Sequence, residues 1–94
     1  MMEADKIISR ELRKIPNVGP AMAQDLMLLG ISSVEQLVGK EPVGLYLDLE
    51  AKTRKRQDPC VLDTFMAVVH YAETGEGKPW WHFTEARKAN FRRP

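Results

Sequence analysis

The sequence predicts an all-α fold, a compact single domain of five or six helices. Three observations predict it. Glycine and proline cut the chain into segments of helical length, and the cuts have the character of helix starts and stops. Within the segments, apolar residues recur at spacings of three and four. No apolar–polar alternation of period two runs far enough to make a useful strand.

The elements follow in order. Residues 4–14 set Ile7, Ile8 and Leu12 on one side and keep Lys6, Arg10 and Arg13 largely off it, which predicts an amphipathic first helix. Pro16-Asn17-Val18-Gly19-Pro20 is a turn, because Asn and Gly tolerate positive φ and the two prolines remove alternatives. Pro20 suits the first position of a second helix, where its missing N–H costs nothing. Ala23, Leu26, Met27 and Leu29 form that helix's apolar stripe, and Gly30 closes it. Ser32 with Glu35 reads as a capping box opening a short helix that ends near Gly39, with Val34, Leu37 and Val38 facing in. Glu41-Pro42 starts a helix carrying Leu45, Tyr46 and Leu49. Asp58-Pro59 starts another, with Asp58 as cap and Val61, Leu62, Phe65, Met66, Val69 and Tyr71 as its apolar run. A loop over 74–79 leads through Trp80-Trp81-His82-Phe83 to a last short helix, capped by Thr84 and ending near Asn90.

These pieces group into a hairpin core (5–38), a second helical unit (42–74) and a C-terminal Trp segment with its helix (79–91). No linker or low-complexity stretch divides the 94 residues, and a chain of this size buries one modest core. It has no apolar run of about eighteen residues, so no membrane span is expected. Met1-Met2-Glu3-Ala4-Asp5 lacks the basic-then-apolar layout of a signal peptide, and a cytoplasmic location is expected. The lone cysteine, Cys60, fits a reducing compartment and reads as a small buried hydrophobe. Its spacing from His70 and His82 matches no zinc pattern, so neither a metal nor another cofactor is expected.

No catalytic constellation stands out, and a non-enzymatic protein is expected. Ser9, Ser32 and Ser33 lack a nucleophile-elbow setting, and Gly75-Glu76-Gly77 is not a phosphate-cradling loop. His70, between Val69 and Tyr71, reads as a partly buried, hydrogen-bonded histidine. Asp58 and Asp63, five apart on a helix, do not share a face well, and Asp58 is better explained as a cap.

The net charge is only +1, yet the cations cluster: Lys52, Arg54, Lys55 and Arg56 in one group, Arg87, Lys88, Arg92 and Arg93 in another. Such groups attract phosphate or are simply solvated. The residue-19 turn offers a second kind of anion seat. A helix N-terminus leaves main-chain N–H groups free, and the helix dipole adds positive potential there. The donors are the amides of Gly19, Ala21 and Met22, since Pro20 has none. Val18 turns inward to stiffen the turn, and Lys14 stands where it adds charge.

The order apolar-Pro-Asn-Val-Gly, followed by a helix with Ala23 and Leu26, resembles a helix-hairpin-helix motif with Asn17 in place of its first glycine. Asn17 preserves the turn, but its side chain can crowd a phosphate. Residues 42–74 read as a degenerate second hairpin whose connection, Lys52 to Pro59, offers side-chain charge in place of amides. More broadly, "IPNVGPAMAQDLMLLGISSVEQL", "LYLDL", "DPCVLDTFMAVV" and "KPWWHF" occur in the order seen in the bacterial pathogenicity-locus family of small helix-hairpin-helix proteins, which the chain resembles over residues 10–86. It is similar, less closely, to the C-terminal domain of TfoX-type competence regulators. The resemblance implies a helix-hairpin-helix (SAM-like) fold and leaves the biochemical role open.

Two functions are therefore carried forward. The first is weak, sequence-independent binding of the DNA backbone by Lys14, Asn17, Val18, Gly19, Ala21 and Met22, with Arg54, Lys55 and Arg56 adding charge. The second is a protein-interaction or oligomerisation role, with a partner or a second copy docking at Trp80 and Trp81. Adjacent tryptophans cannot both face the core of a regular helix: one packs against Phe65 or Tyr71 while the other is exposed, where it can stack on an unpaired base or enter a subunit interface, or both pack under the tail and the hairpin serves packing alone.

Overall fold

A computed structural model describes residues 3–92, which leaves Met1, Met2, Arg93 and Pro94 outside the described residues. Five α-helices run in chain order: α1 (Glu3–Leu12), α2 (Pro20–Leu28), α3 (Pro42–Thr53), α4 (Pro59–Thr74) and α5 (Thr84–Asn90). Two short 3-10 helices, Val34–Leu37 and Trp80–Phe83, precede α3 and α5. Among the described residues there is no strand, and no helix is long and apolar enough to cross a membrane.

Proline at the first position starts α2, α3 and α4. Glycine ends three of the elements in the left-handed region: Gly30 (φ 80°) after α2, Gly39 (φ 79°) after the first 3-10 helix and Gly75 (φ 77°) after α4. At α2 the Ile31 amide reaches back to Leu26 O (2.9 Å) and the Gly30 amide to Met27 O (3.0 Å), which satisfies carbonyls the helix end would leave open.

The core lies where α4 meets the rest. Leu62, Phe65, Val68 and Val69 of α4 pack with Leu45, Tyr46 and Leu49 of α3, Ala23 and Leu26 of α2, and Leu12, Ile15 and Val18 of the first hairpin. α4 also touches both 3-10 helices and α5, so the 16-residue helix is covered on several sides. That accounts for four residues buried consecutively, Leu62-Asp63-Thr64-Phe65, which one amphipathic stripe cannot produce.

Four expectations are corrected by register. Ile7 is exposed, because the inward stripe of α1 runs through Asp5, Ile8, Ser9 and Leu12 and leaves residue 7 one step off it. Val38 is exposed because the helix before it is 3-10, in which residues three apart eclipse; Val34 and Leu37 turn in, and Val38 leaves on extended backbone. The same helix begins one residue late, at Val34, so Ser33 is its cap position. Gln36 rather than Glu35 closes the box, taking hydrogen bonds from the Ser32 amide and hydroxyl. Thr84 does not cap α5; its hydroxyl donates to Asp63 instead (2.8 Å).

Candidate functional site

The first hairpin is built from its apolar residues outward. After α1 the chain tightens: the Lys14 amide bonds to Glu11 O (3.1 Å), Ile15 to Leu12 O (3.0 Å) and Val18 to Ile15 O (3.1 Å). Ile15 and Val18 are both buried, so the turn is plugged from inside as the sequence predicts. Between them Asn17 takes φ 75°, a conformation costly for most residues and tolerated by Asn. Its carboxamide is used at both ends. Nδ2 donates to Lys78 O (2.8 Å), and Oδ1 accepts from the Trp80 amide (3.0 Å). The side chain that could have crowded an anion is therefore held by the C-terminal segment.

Gly19 then caps α2 in extended conformation (φ −96°, ψ −173°), with no side chain to bond the first turn. Its carbonyl accepts from Ala23 N (2.9 Å). Among the described residues, none accepts a hydrogen bond from the amides of Gly19, Ala21 or Met22. Gly19, Pro20 and Ala21 are exposed, and the Met22 side chain is buried. The three donors are brought together at one helix end, open to solvent on the Gly19–Ala21 side.

Some of the cations are already paired within the chain. Lys14 is held by Glu11 (3.0 Å) in an exposed pair, a contact of little strength that an anion could displace. Arg54, Lys55 and Arg56 are exposed on the α3–α4 connection. Arg54 ends α3 with φ 57°, and the connection is stapled by its neighbours. Gln57 N donates to Glu50 Oε2 (2.8 Å), Gln57 Nε2 donates to Thr53 Oγ1 (3.1 Å), and the Tyr46 hydroxyl donates to Gln57 O. Lys55 acts on α2: burial pushes the Asp25 carboxyl up, and the Lys55 charge partly reverses that.

Trp80 and Trp81 separate. Trp80 is half-buried, its amide fixed by Asn17. Trp81 is 64% exposed and meets Trp80 edge to face at 5.6 Å. Packing of both under the tail is thus corrected: a 3-10 turn splays adjacent side chains, and only one of the two indoles reaches cover. His70 is half-buried, bonded through Nε2 to Glu76 Oε1 (2.8 Å) and tilted over Phe83 (5.5 Å between centroids). Cys60 is only partly buried; burial first, then Asp58, pushes its thiol up, away from the reactive thiolate. Among the described residues no three His, Cys, Asp or Glu side chains converge on a metal-sized site.

Sequence reasoning missed two constellations, the Asn17 clasp just described and a second one on α4. Asp63 of α4 is fully buried and takes three bonds from the C-terminal helix: Thr84 Oγ1 (2.8 Å), Arg87 Nε (2.8 Å) and Arg87 Nη2 (3.5 Å). Arg87 is itself largely covered, and the Asp63 bond raises its already high pKa. The only available signal was an acidic residue inside an apolar run, which does not say where its partner lies.

The family model described as "Cdd1: Pathogenicity locus" matches residues 5–89. Mitomycin resistance protein McrB of Streptomyces lavendulae is 41% identical over 78 residues, which cover 83% of this chain and 74% of that protein. No solved structure matches the chain. The matched span runs from α1 through the turn at Asn17 and the Asp63–Arg87 clasp to the last turn of α5, so the whole folded unit is of one kind: the protein belongs to the pathogenicity-locus family.

Proposed function

We propose that the protein is a non-enzymatic module that binds the DNA backbone weakly and without sequence preference. The seat is a helix-hairpin-helix turn in which the amides of Gly19, Ala21 and Met22 hold a phosphate oxygen. One observation carries the reading. Of the three helices that start on proline, α2 alone has no side chain closing its N-terminus. Free amides and the helix dipole together favour an anion there. Lys14, once released from Glu11, and Arg54, Lys55 and Arg56 add longer-range attraction. Contacts of this kind position a duplex and carry no sequence information.

With about two to four phosphates engaged, log affinity falls against log salt with a slope of about −2 to −4. Titration of a labelled duplex at about 50 mM salt tests this, with Gly19→Asp as the decisive variant. The residue-19 backbone is already extended and a Cβ there meets nothing within 4 Å, so Asp fits and fills the seat with its own carboxylate. Loss of binding with the melting temperature held or raised supports the reading. No binding by the parent chain, or equal binding by both, ends it.

The exposure of Trp81 favours a second reading, a protein-interaction or oligomerisation role at the Trp80–Trp81 end. Sedimentation of the parent and of Trp81→Ala at two concentrations separates it from the first. A concentration-independent monomer with no partner counts against it. Drug resistance, which the relative's name states for that protein, is compatible with either.

A further inference from the structure

After Val69 none of the described residues is fully buried; Trp80, Phe83 and Phe91 of the C-terminal segment are half-buried, and Phe91 packs on the edge of the core. Fastenings at its two ends, most of them polar, add to that partial cover. At the near end the backbone at Gly77 lies so close to Pro16 that a Cβ would stand 2.9 Å from Pro16 Cγ. Beside it, the Asn17 carboxamide takes the Lys78 carbonyl and the Trp80 amide. At the far end Thr84 and Arg87 grip the buried Asp63, and Phe91 lies edge-on to Tyr46 at 5.7 Å.

We infer that residues 77–91 form a strap that unlatches from the helical core as one unit, and that the closed strap holds the α1–α2 turn in shape through Asn17. Hydrogen bonds depend steeply on geometry, whereas apolar contacts tolerate sliding. A segment with no fully buried residue, fixed in place by hydrogen bonds at both ends, has to give up those bonds to leave, and losing one set leaves little to hold the other. The segments with the fewest buried apolar contacts also open at the lowest free energy. Opening would strip both partners from the Asp63 carboxylate, which strongly favours the closed state and makes it well defined. It would also free the Asn17 carboxamide two residues from Gly19, so the state of the strap sets what the turn presents. This opening does not depend on what the turn binds.

Native-state amide exchange on the full chain, followed by NMR at low denaturant, tests the inference. The amides of Trp80, His82 and Phe91, each hydrogen-bonded in the closed strap, are expected to exchange through one shared opening, ahead of the Phe65–Val69 amides of α4. Asn17→Ala at one end and Asp63→Asn at the other should each raise exchange at all three by roughly tenfold. The α4 amides should respond less. Gly77→Ala, an exposed site that cannot empty the core, should act in the same direction through its clash with Pro16. If Asp63→Asn does not fold, Arg87→Gln cuts the same clasp from the strap side. The inference is overturned if the strap amides exchange only with α4 in global unfolding, or if each variant loosens only its own end.

Discussion

The helices α2 and α4 begin alike and end their first turns differently. Each has proline at its first position and each follows a connection that reverses the chain. Before α4 stands Asp58, whose carboxylate takes the Cys60 amide (2.9 Å) while its carbonyl takes Val61 N (2.9 Å). Before α2 stands Gly19, whose carbonyl accepts the first helical bond and which has nothing to offer the other donors. The connections differ in the same sense. The α3–α4 connection is stapled by side chains, with Gln57 at its centre; the α1–α2 turn is plugged from inside by Ile15 and Val18 and pinned from outside by Asn17. A helix start that satisfies itself is architecture. One held rigid while its donors stay free is the arrangement on which the proposed phosphate seat rests, and a single residue, Asp or Gly at the cap, separates the two.

The largest test of this contrast is the plug. Val18→Ala removes two buried methyl groups from the first turn and should cost about 2 kcal/mol, read as a lower urea midpoint at unchanged slope. A cost near zero would mean that Asn17 and the strap alone shape the turn. Next in size is the closed cap. Asp58→Ala should lower the melting temperature by several degrees, because α4 loses a bond that α2 never had.

How far such features can be read in advance depends on range. The three proline starts, the Asp58 cap, the αL glycine at Gly30 and the buried Val18 were legible because each is decided within a few residues. Ile7 and Val38 went wrong by one step of register, which periodicity alone cannot fix when a helix is short or 3-10. The clasps were not legible at all. Asn17 meets its partners 61 and 63 residues away, and Asp63 meets Thr84 and Arg87 at separations of 21 and 24. No local period encodes such pairs. For the candidate site, the residue-19 amides were visible as chemistry in the sequence. That they stay without acceptors, and that the Asn17 carboxamide is turned to the tail, depended on where residues 77–91 lie.

A smaller effect comes from closing the open cap. Gly19→Asp should raise stability by about 0.5 kcal/mol, from a first-turn hydrogen bond and a favourable charge at the helix N-terminus. If it destabilises instead, the backbone at Gly19 does not hold the extended shape that a capping carboxylate needs.

The smallest effect is on pH, and it sharpens the comparison most. In the folded chain the Asp58 carboxyl is held below its ordinary value, chiefly by the Cys60 N–H bond, with the Arg87 charge a minor aid. A carboxyl lowered on folding adds stability above its unfolded pKa and loses it as pH falls through the folded one. The parent chain should therefore lose melting temperature below about pH 4. Asp58→Asn keeps a capping oxygen without the charge, so the gap between it and the parent should narrow in that window and stay constant above about pH 5. Parallel curves through the acid range would mean that the cap works by geometry alone. Gly19 has no titrating group, so α2 contributes nothing to this acid limb. The Gly19→Asp variant should acquire one of the same sign, which would make the open helix start behave as the closed one does.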